Sequence, residues 1–311
     1  MTGIVTLSFE LELGWGMHDM NTFSHLSDDR TSEETALSRI LNSFERNNIR
    51  ASFNVVGHLF HESCPGEHSG PYPAPWWRND PGSSHRGNPQ FYAPELIENI
   101  IESSVDHEIC THTYSHILAE EVSAKLLRHE LDMVHDLHQR WGLSLPKSIV
   151  MPRHQKCDYS VLSEYGISTI RRPIRGYGKP NINPISKLWW LLTRNHPKCE
   201  IKDNDEIIET TCTPHPSLSS TILSTGREKP EPYFRVIPRK VREYLHKKYL
   251  IDAINLAAYN GHHIHLWTHL YNIANKSQWD VISPVLDYIG EMERQEKIKT
   301  VPMRDLPMFV E

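Results

Sequence analysis

Short β-rich apolar runs alternate with helical patterns along nearly the whole chain, and this alternation restricts the fold more than any other feature. The runs are Ile4 to Phe9, Ala51 to Val56, Glu108 to Thr111, Ser148 to Met151, Ser168 to Arg171, Glu206 to Thr210 and His262 to Trp267. Between them, apolar residues recur at helical spacing over Ser32 to Asn47, Pro94 to Ser103, Ala119 to Trp141, Tyr159 to Tyr165, Pro238 to Asn260 and Gln278 to Gln295. Pro94 suits a first helical turn, and Gly142 and Gly261 follow two helix ends, where a left-handed residue stops a helix. Strands separated by helices pair in parallel through right-handed crossovers, and about seven such units favour a barrel over an open doubly wound sheet. The expected class is therefore α/β, with residues 1–311 as one domain. No GxGxxG or GxxxxGKS/T segment follows a strand, which argues against a dinucleotide or P-loop site.

Two stretches break the rhythm. Gly57 to Tyr92 is rich in Pro, Gly, His and aromatic residues and is too long for an ordinary connection. It reads as an irregular insertion: either a lid or substrate-binding wall carrying Trp76, Trp77 and Arg78, with Trp15 of the Gly-Trp-Gly turn as a further candidate, or a structured surface excursion without ligand contact. Arg172 to Lys202 also reads as irregular, with Arg172, Arg175, Lys179 and Lys187 beside Trp189 and Trp190. A phosphate-bearing substrate would explain these charges, and so would a solvated basic segment.

The formal charge of −6, from 33 basic and 39 acidic residues, gives no reason to expect nucleic acid as a partner. Met1 to Val5 lacks a basic and then apolar leader pattern, and no run approaches the ~18 apolar residues of a transmembrane span. The expectation is a cytoplasmic protein; the oligomeric state has no signal in the sequence. Five scattered cysteines without a CxxC pair suggest reduced structural thiols, neither a disulfide framework nor a thiolate zinc knuckle.

The strongest chemical signal is His112-Thr113-Tyr114-Ser115-His116, directly after a strand. Two imidazoles four residues apart would share one side of a helical turn and could bind one metal ion. The residue after the first His is Thr113 and not Glu, so the base of an HExxH site must come from elsewhere. The first strand ends Glu10-Leu11-Glu12, and alternation puts both carboxylates on one face. One can complete a two-His-one-carboxylate site, and the other can deprotonate a water. That donor set favours zinc as the divalent ion, and iron, cobalt and nickel accept it too. The last strand ends in His262-His263-Ile264-His265-Leu266-Trp267-Thr268-His269, placing His263, His265 and His269 on one face as candidates to protonate a leaving amine. Arg153, in Met151-Pro152-Arg153-His154-Gln155, could hold a carboxylate by a bidentate pair and fix the general base.

Taken in order, these segments resemble the polysaccharide deacetylase family with the NodB homology domain. His112 to His116 with its His107-Glu108-Ile109 lead-in looks like the metal-binding HS/TxxH segment, and Glu10-Leu11-Glu12 with Gly14-Trp15 looks like a variant first motif. Ala51 to Gly57 is similar to the second strand ATFFVVG; Pro152-Arg153 and Leu266 to His269 look like the third and last motifs. The resemblance implies a distorted (β/α)7 barrel of NodB type. It implies a metal-dependent carbohydrate de-N-acetylase, with Glu12, His112 and His116 on the metal, Glu10 as base, Arg153 beside it, and His269 as acid. His265 competes with His269 for that last role. Glu10 stands where the family usually has Asp, one methylene shorter. The implied substrate is an amino-sugar glycan, nucleotide- or lipid-linked for a cytoplasmic protein. A sugar-binding homologue without turnover, and a deformylase or cyclic-amide hydrolase on the same fold, are the alternatives.

Overall fold

The alternation on the first strand already contains the plan of the molecule. In the computed structural model, which describes residues 2–118, 123–177 and 184–310, Val5, Leu7, Phe9 and Leu11 point into the apolar layer under the helices. Thr6, Ser8 and Glu10 point the other way, into the barrel, where Thr6 and Ser8 meet His263 and His265 at 3.2 and 2.8 Å. Phe9 packs edge-on against Phe44 at 5.6 Å and stacks on Phe53 at 5.5 Å. Each such buried side chain contributes on the order of 1.5–3 kcal/mol.

In chain order the first elements are β1 (Gly3–Leu11), α1 (Thr31–Asn47), β2 (Ser52–Val55), α2 (Pro94–Ile101), β3 (Glu108–Thr111), α3 (Ala124–Arg140), β4 (Ser148–Val150), α4 (Tyr159–Glu164) and β5 (Thr169–Pro173). There follow α5 (Pro184–Thr193), β6 (Ile201–Asp203), β7 (Ile208–Cys212), α6 (Pro232–Arg235), α7 (Arg239–Asn260), β8 (His263–His269), α8 (Leu270–Ile273), α9 (Lys276–Arg294) and β9 (Ile298–Thr300). The sheet order is β6-β7-β5-β4-β3-β2-β1-β8, with β9 beside the start of β1. The pairs from β7 round to β8 are parallel, and only β6 runs antiparallel, on β7.

This is a distorted (β/α)7 barrel that is nearly closed. Between β8 and β7 the backbone ladder is missing, and side chains span the seam: Thr210 Oγ1 lies 3.0 Å from His265 Nδ1. The segment before β6 adds a bridge, Cys199 N–H to the His263 carbonyl at 3.0 Å. Polar side chains fill the interior in layers. Near the strand starts, Glu108 accepts from Ser52 Oγ and Ser148 Oγ at 2.6 and 2.5 Å. Among the described residues no helix is long and apolar enough to cross a membrane.

All seven expected strands form, and β6 and β9, each of three residues, were not anticipated because so short a run carries no period. β7 starts later than the Glu206 expected, because Asn204 to Ile207 make the tight turn of the β6–β7 hairpin, with Asp205 left-handed at φ 62°. The stretch from Arg172 to Lys202 is not irregular throughout. It contains α5, which starts at Pro184 and lays Leu188 and Leu191 on the main core at helical spacing. Lys179, the side chain of Lys187 and residues 119–122 of the expected third helix lie outside the described residues.

Candidate active site

Parallel strands deliver their following loops to one end of a barrel, and the polar residues singled out in the sequence gather there. Glu12 follows β1 directly and is 5 % exposed. Its Oε2 lies 3.5 Å from His112 Nε2 and 3.2 Å from His116 Nε2. Gly16, one turn further on, leaves the room this carboxylate occupies, because a Cβ there would sit 2.3 Å from Glu12 Oε1.

The two imidazoles do not share a helical turn. Residues 112–116 form a loop in which Thr113 and His116 are left-handed, at φ 63° and 61°. For residues with a Cβ this backbone is strained, and strain of this kind concentrates at functional sites. Glu130 of α3 holds the loop from behind, accepting from Ser115 N–H and Oγ–H at 2.8 and 2.7 Å. The rings converge all the same, with centroids 5.0 Å apart.

Glu10 lies on the far side of Glu12. Its Oε2 is 2.8 Å from His269 Nε2, and the same nitrogen is 3.4 Å from Glu12 Oε1. Arg171, fully buried on β5, donates to the other oxygen of Glu10 and to Ser8 Oγ at 2.8 Å, and its guanidinium lies 4.3 Å over Trp267. Burial pushes the Glu10 carboxyl up, but Arg171 and His269 outweigh it and hold the group well below the usual carboxylate range. For His269 burial acts downward, and the charges of Glu12 and Glu10 reverse it and raise the imidazole.

The residues around Glu12 suit a divalent cation. One ligand atom each from Glu12, His112 and His116 lie within 4.8 Å of one another. His112 Nδ1 donates to the Val150 carbonyl, 2.7 Å away, which turns Nε2 toward the Glu12 carboxylate at 3.5 Å, outside close hydrogen-bonding geometry. Burial also lowers His116, against the pull of Glu12, and favours its neutral, ligating form. A cation between these groups would give His112 Nε2 a partner and balance the carboxylate, and the carbonyl behind His112 is the usual outer support of a metal-bound imidazole.

Beyond this cluster a cavity of about 320 Å³ is bordered by Glu10, Glu12, His116, His269, Trp267 and Tyr271. Residues 22–169, which include the paired-histidine loop, match the family model described as polysaccharide deacetylase. That stretch, just under half of the chain, is what it shares with the polysaccharide deacetylase family. None of the curated proteins matches it at the sequence level. Its fold is similar to that of a protein assigned as a polysaccharide deacetylase from Mycobacterium smegmatis, at 15% identity over 96% of this chain and 92% of that one, TM-score 0.54. It is equally similar to a probable polysaccharide deacetylase from Pseudomonas aeruginosa PAO1, with 13% identity over 98% and 89% and TM-score 0.54. The allantoinase PuuE gives 12% identity over 98% and 89%, TM-score 0.54. Likeness at these identities establishes the shared barrel.

Within this barrel, several expected residues stand elsewhere than the sequence suggested. Arg153 borders the cavity, but its partner is Asp19, whose two carboxylate oxygens lie 2.6 and 2.8 Å from Nη2; the arginine on Glu10 is Arg171. Arg153 follows β4 in a left-handed conformation, φ 52°, which turns it to the rim. His265 is sealed inside the barrel with both ring nitrogens on hydroxyls, Ser8 and Thr210, so the imidazole at the cavity is His269. Trp15 is 0 % exposed, donates to the Phe91 carbonyl at 2.9 Å and packs under the site, out of reach of a substrate.

Trp76 and Trp77 are half-buried and Arg78 is exposed; none of the three borders the cavity. Trp76 instead donates to Ser115 Oγ at 2.9 Å, and Tyr72 donates to Glu130 at 2.6 Å, so the insertion braces the paired-histidine loop. Sequence reading missed Arg171. Its signal was a charged residue two positions after Thr169, on the same face of the short β5 strand. It also missed Tyr271, which stacks on His269 at 4.9 Å and 22°.

Proposed function

We propose that this chain is a divalent-metal-dependent hydrolase that removes an N-acyl group, N-acetyl in the first instance, from an amino sugar. The observation that carries the reading is the position of Glu12 between two different pairs of groups. On one side stand two imidazoles with ligand geometry, and on the other the Glu10–His269 pair that acid–base chemistry needs.

Glu12, His112 and His116 would hold the ion, zinc by preference for this donor set. When bound, it supplies a Lewis acid for the amide carbonyl and lowers the pKa of water at the site. Glu10, kept ionised by Arg171, accepts the proton of the attacking water. His269, raised by its two carboxylate neighbours, carries a proton and gives it to the departing amine nitrogen, so the C–N bond breaks to a free amine and a carboxylate. Trp267 and Tyr271 wall the cavity with aromatic faces suited to a sugar ring.

The test is to incubate the metal-loaded protein with N-acetylated amino sugars, free, nucleotide-linked, lipid-linked and polymeric, and to measure acetate. N-formyl and cyclic-amide substrates run in parallel. Release of acetate from any member supports the reading. Turnover of only the cyclic amides or only the formyl compounds replaces it with another amide hydrolysis. Metal and sugar binding without release from any substrate leaves a sugar-binding protein.

A further inference from the structure

The Gly57 to Tyr92 insertion holds a second set of ligand side chains that amide hydrolysis does not use. We propose that His58, Cys64, His68 and Asp80 bind a structural zinc ion that clips the insertion to the barrel. One ligand atom from each lies within 4.8 Å of the others. Cys64 Sγ is 3.7 Å from His68 Nε2, His68 Nε2 is against Asp80 Oδ2, and His58 Nε2 is 3.9 Å from the same oxygen. His58 sits on the 3₁₀ turn Gly57–Phe60 just after β2, whereas the other three belong to the loop, so the ion would join loop to barrel.

His58 is 0 % exposed, with the Phe91 backbone beside it, and neither ring nitrogen completes a well-formed hydrogen bond. Its ring is enclosed by Trp15 at 4.3 Å, Tyr92 at 5.4 Å and Tyr114 at 5.6 Å. A buried imidazole left this way calls for a ligand. Asp80 is oriented for one: its Oδ1 accepts from Tyr92 Oη–H at 2.9 Å and Gly82 N–H at 3.1 Å, which turns Oδ2 to His68 and His58. Gly66 N–H points at Cys64 Sγ, 3.4 Å away, a contact that stabilises a thiolate. Such outer hydrogen bonds are how metal sites fix their ligands.

The donor chemistry selects the ion. A thiolate, a carboxylate and two imidazoles favour zinc, and the two negative charges neutralise it once the Cys64 thiol has released its proton to solvent. Four protein ligands leave no place for water, which makes the site structural. Cys64 and His68 border a surface pocket of about 220 Å³ that gives an ion access. The His68 ring stacks on Trp77 at 3.6 Å, and the neighbouring Trp76 is hydrogen-bonded to Ser115 of the paired-histidine loop. The clip would therefore steady the loop that presents His112 and His116. The expectation of five inert thiols would then hold for all but Cys64.

The experiment is metal titration of the full chain with zinc and, in parallel, with cobalt(II). Two equivalents of zinc and a thiolate-to-cobalt charge-transfer band are expected. Cys64→Ser should lose the band and one equivalent while keeping the other; the His112→Ala/His116→Ala double variant should keep the band and one equivalent. The wild-type spectrum decides even if a variant fails to fold. Saturation of wild-type protein without a thiolate band overturns the clip, whatever the activity. A band that persists in protein whose Glu12 site takes no metal supports the clip and removes the proposed hydrolase.

Discussion

Arg171 and Glu10 form a buried ion pair across the barrel, the guanidinium reaching from β5 to the carboxylate on β1. Neither partner has solvent to fall back on, with side chains 0 % and 6 % exposed. Removing one charge of such a pair leaves the other uncompensated, at a cost of about 3–5 kcal/mol. Arg171→Met should therefore lower the thermal midpoint by roughly 10 °C and cut kcat by about a hundredfold or more, since it also frees the base. Arg153→Ala, which loses only a rim pair with Asp19, should leave kcat within about threefold of wild type. Equal losses in the two variants would show that the assignment of Glu10 to Arg171 is wrong.

Glu10→Gln keeps the shape of the side chain and removes its charge. Metal stoichiometry should stay unchanged, because Glu12, His112 and His116 are intact, while kcat falls by about a hundredfold or more. Wild-type turnover in this variant would take Glu10 out of the mechanism.

The same variant reports on His269. In the metal-free protein burial lowers this imidazole, and Glu12 and Glu10 raise it past its ordinary 6.5, so it should titrate above that value by imidazole NMR. Glu10→Gln should bring it down. Because the folded pKa is above the unfolded one, the His269 contribution to stability is complete below about 6.5 and is lost as pH rises through the folded value. Glu10 and Glu12 are lowered from 4.5, so their contribution is complete above that value and lost as pH falls through the folded ones. Metal-free protein should be most stable between these limits, and a midpoint that keeps rising at alkaline pH would contradict the ion-pair arrangement. For activity, an ionised Glu10 and a protonated His269 give a bell whose alkaline limb belongs to His269.

How far the sequence carried the site follows from what kind of information each residue needed. Glu10 and His269 were legible because strand alternation sets their side and the register aligns them, and Glu12, one residue past the end of β1, still meets the same cluster. His112 and His116 were legible as a pair by spacing, though the reason given was wrong: the loop is left-handed at Thr113 and His116, and no pattern of residue types announces that. Arg171 and Arg153 were exchanged because the choice between them depends on which strand end faces β1 across the barrel, a property of closure and not of either segment. Trp15, Trp76 and Trp77 were read as sugar-facing surfaces. Tryptophans that pack under a loop look the same in sequence until their partners, Phe91, Ser115 and His68, are known. The strands of the barrel needed only local periodicity; the seam between β7 and β8 needed the whole fold.

Gly16 offers the most local test of the Glu12 site. It lies four residues after Glu12, on the 3₁₀ turn Leu13–Met20, and its missing side chain is the space that the Glu12 carboxylate occupies. A methyl group would meet Oε1 at 2.3 Å and the carboxyl carbon at 2.4 Å, far inside van der Waals contact. The backbone at Gly16 has no positive φ, so alanine brings no conformational strain of its own, and its effect is confined to the carboxylate. Gly16→Ala should therefore fold with a thermal midpoint close to wild type but push Glu12 from between His112 and His116, weakening zinc binding by about tenfold or more. Isothermal titration with zinc, using protein whose Cys64 is replaced by Ser to leave a single class of site, reads this directly. Unchanged zinc affinity would mean that Glu12 is not a ligand, and the centre would have to be rebuilt around His112, His116 and Glu10.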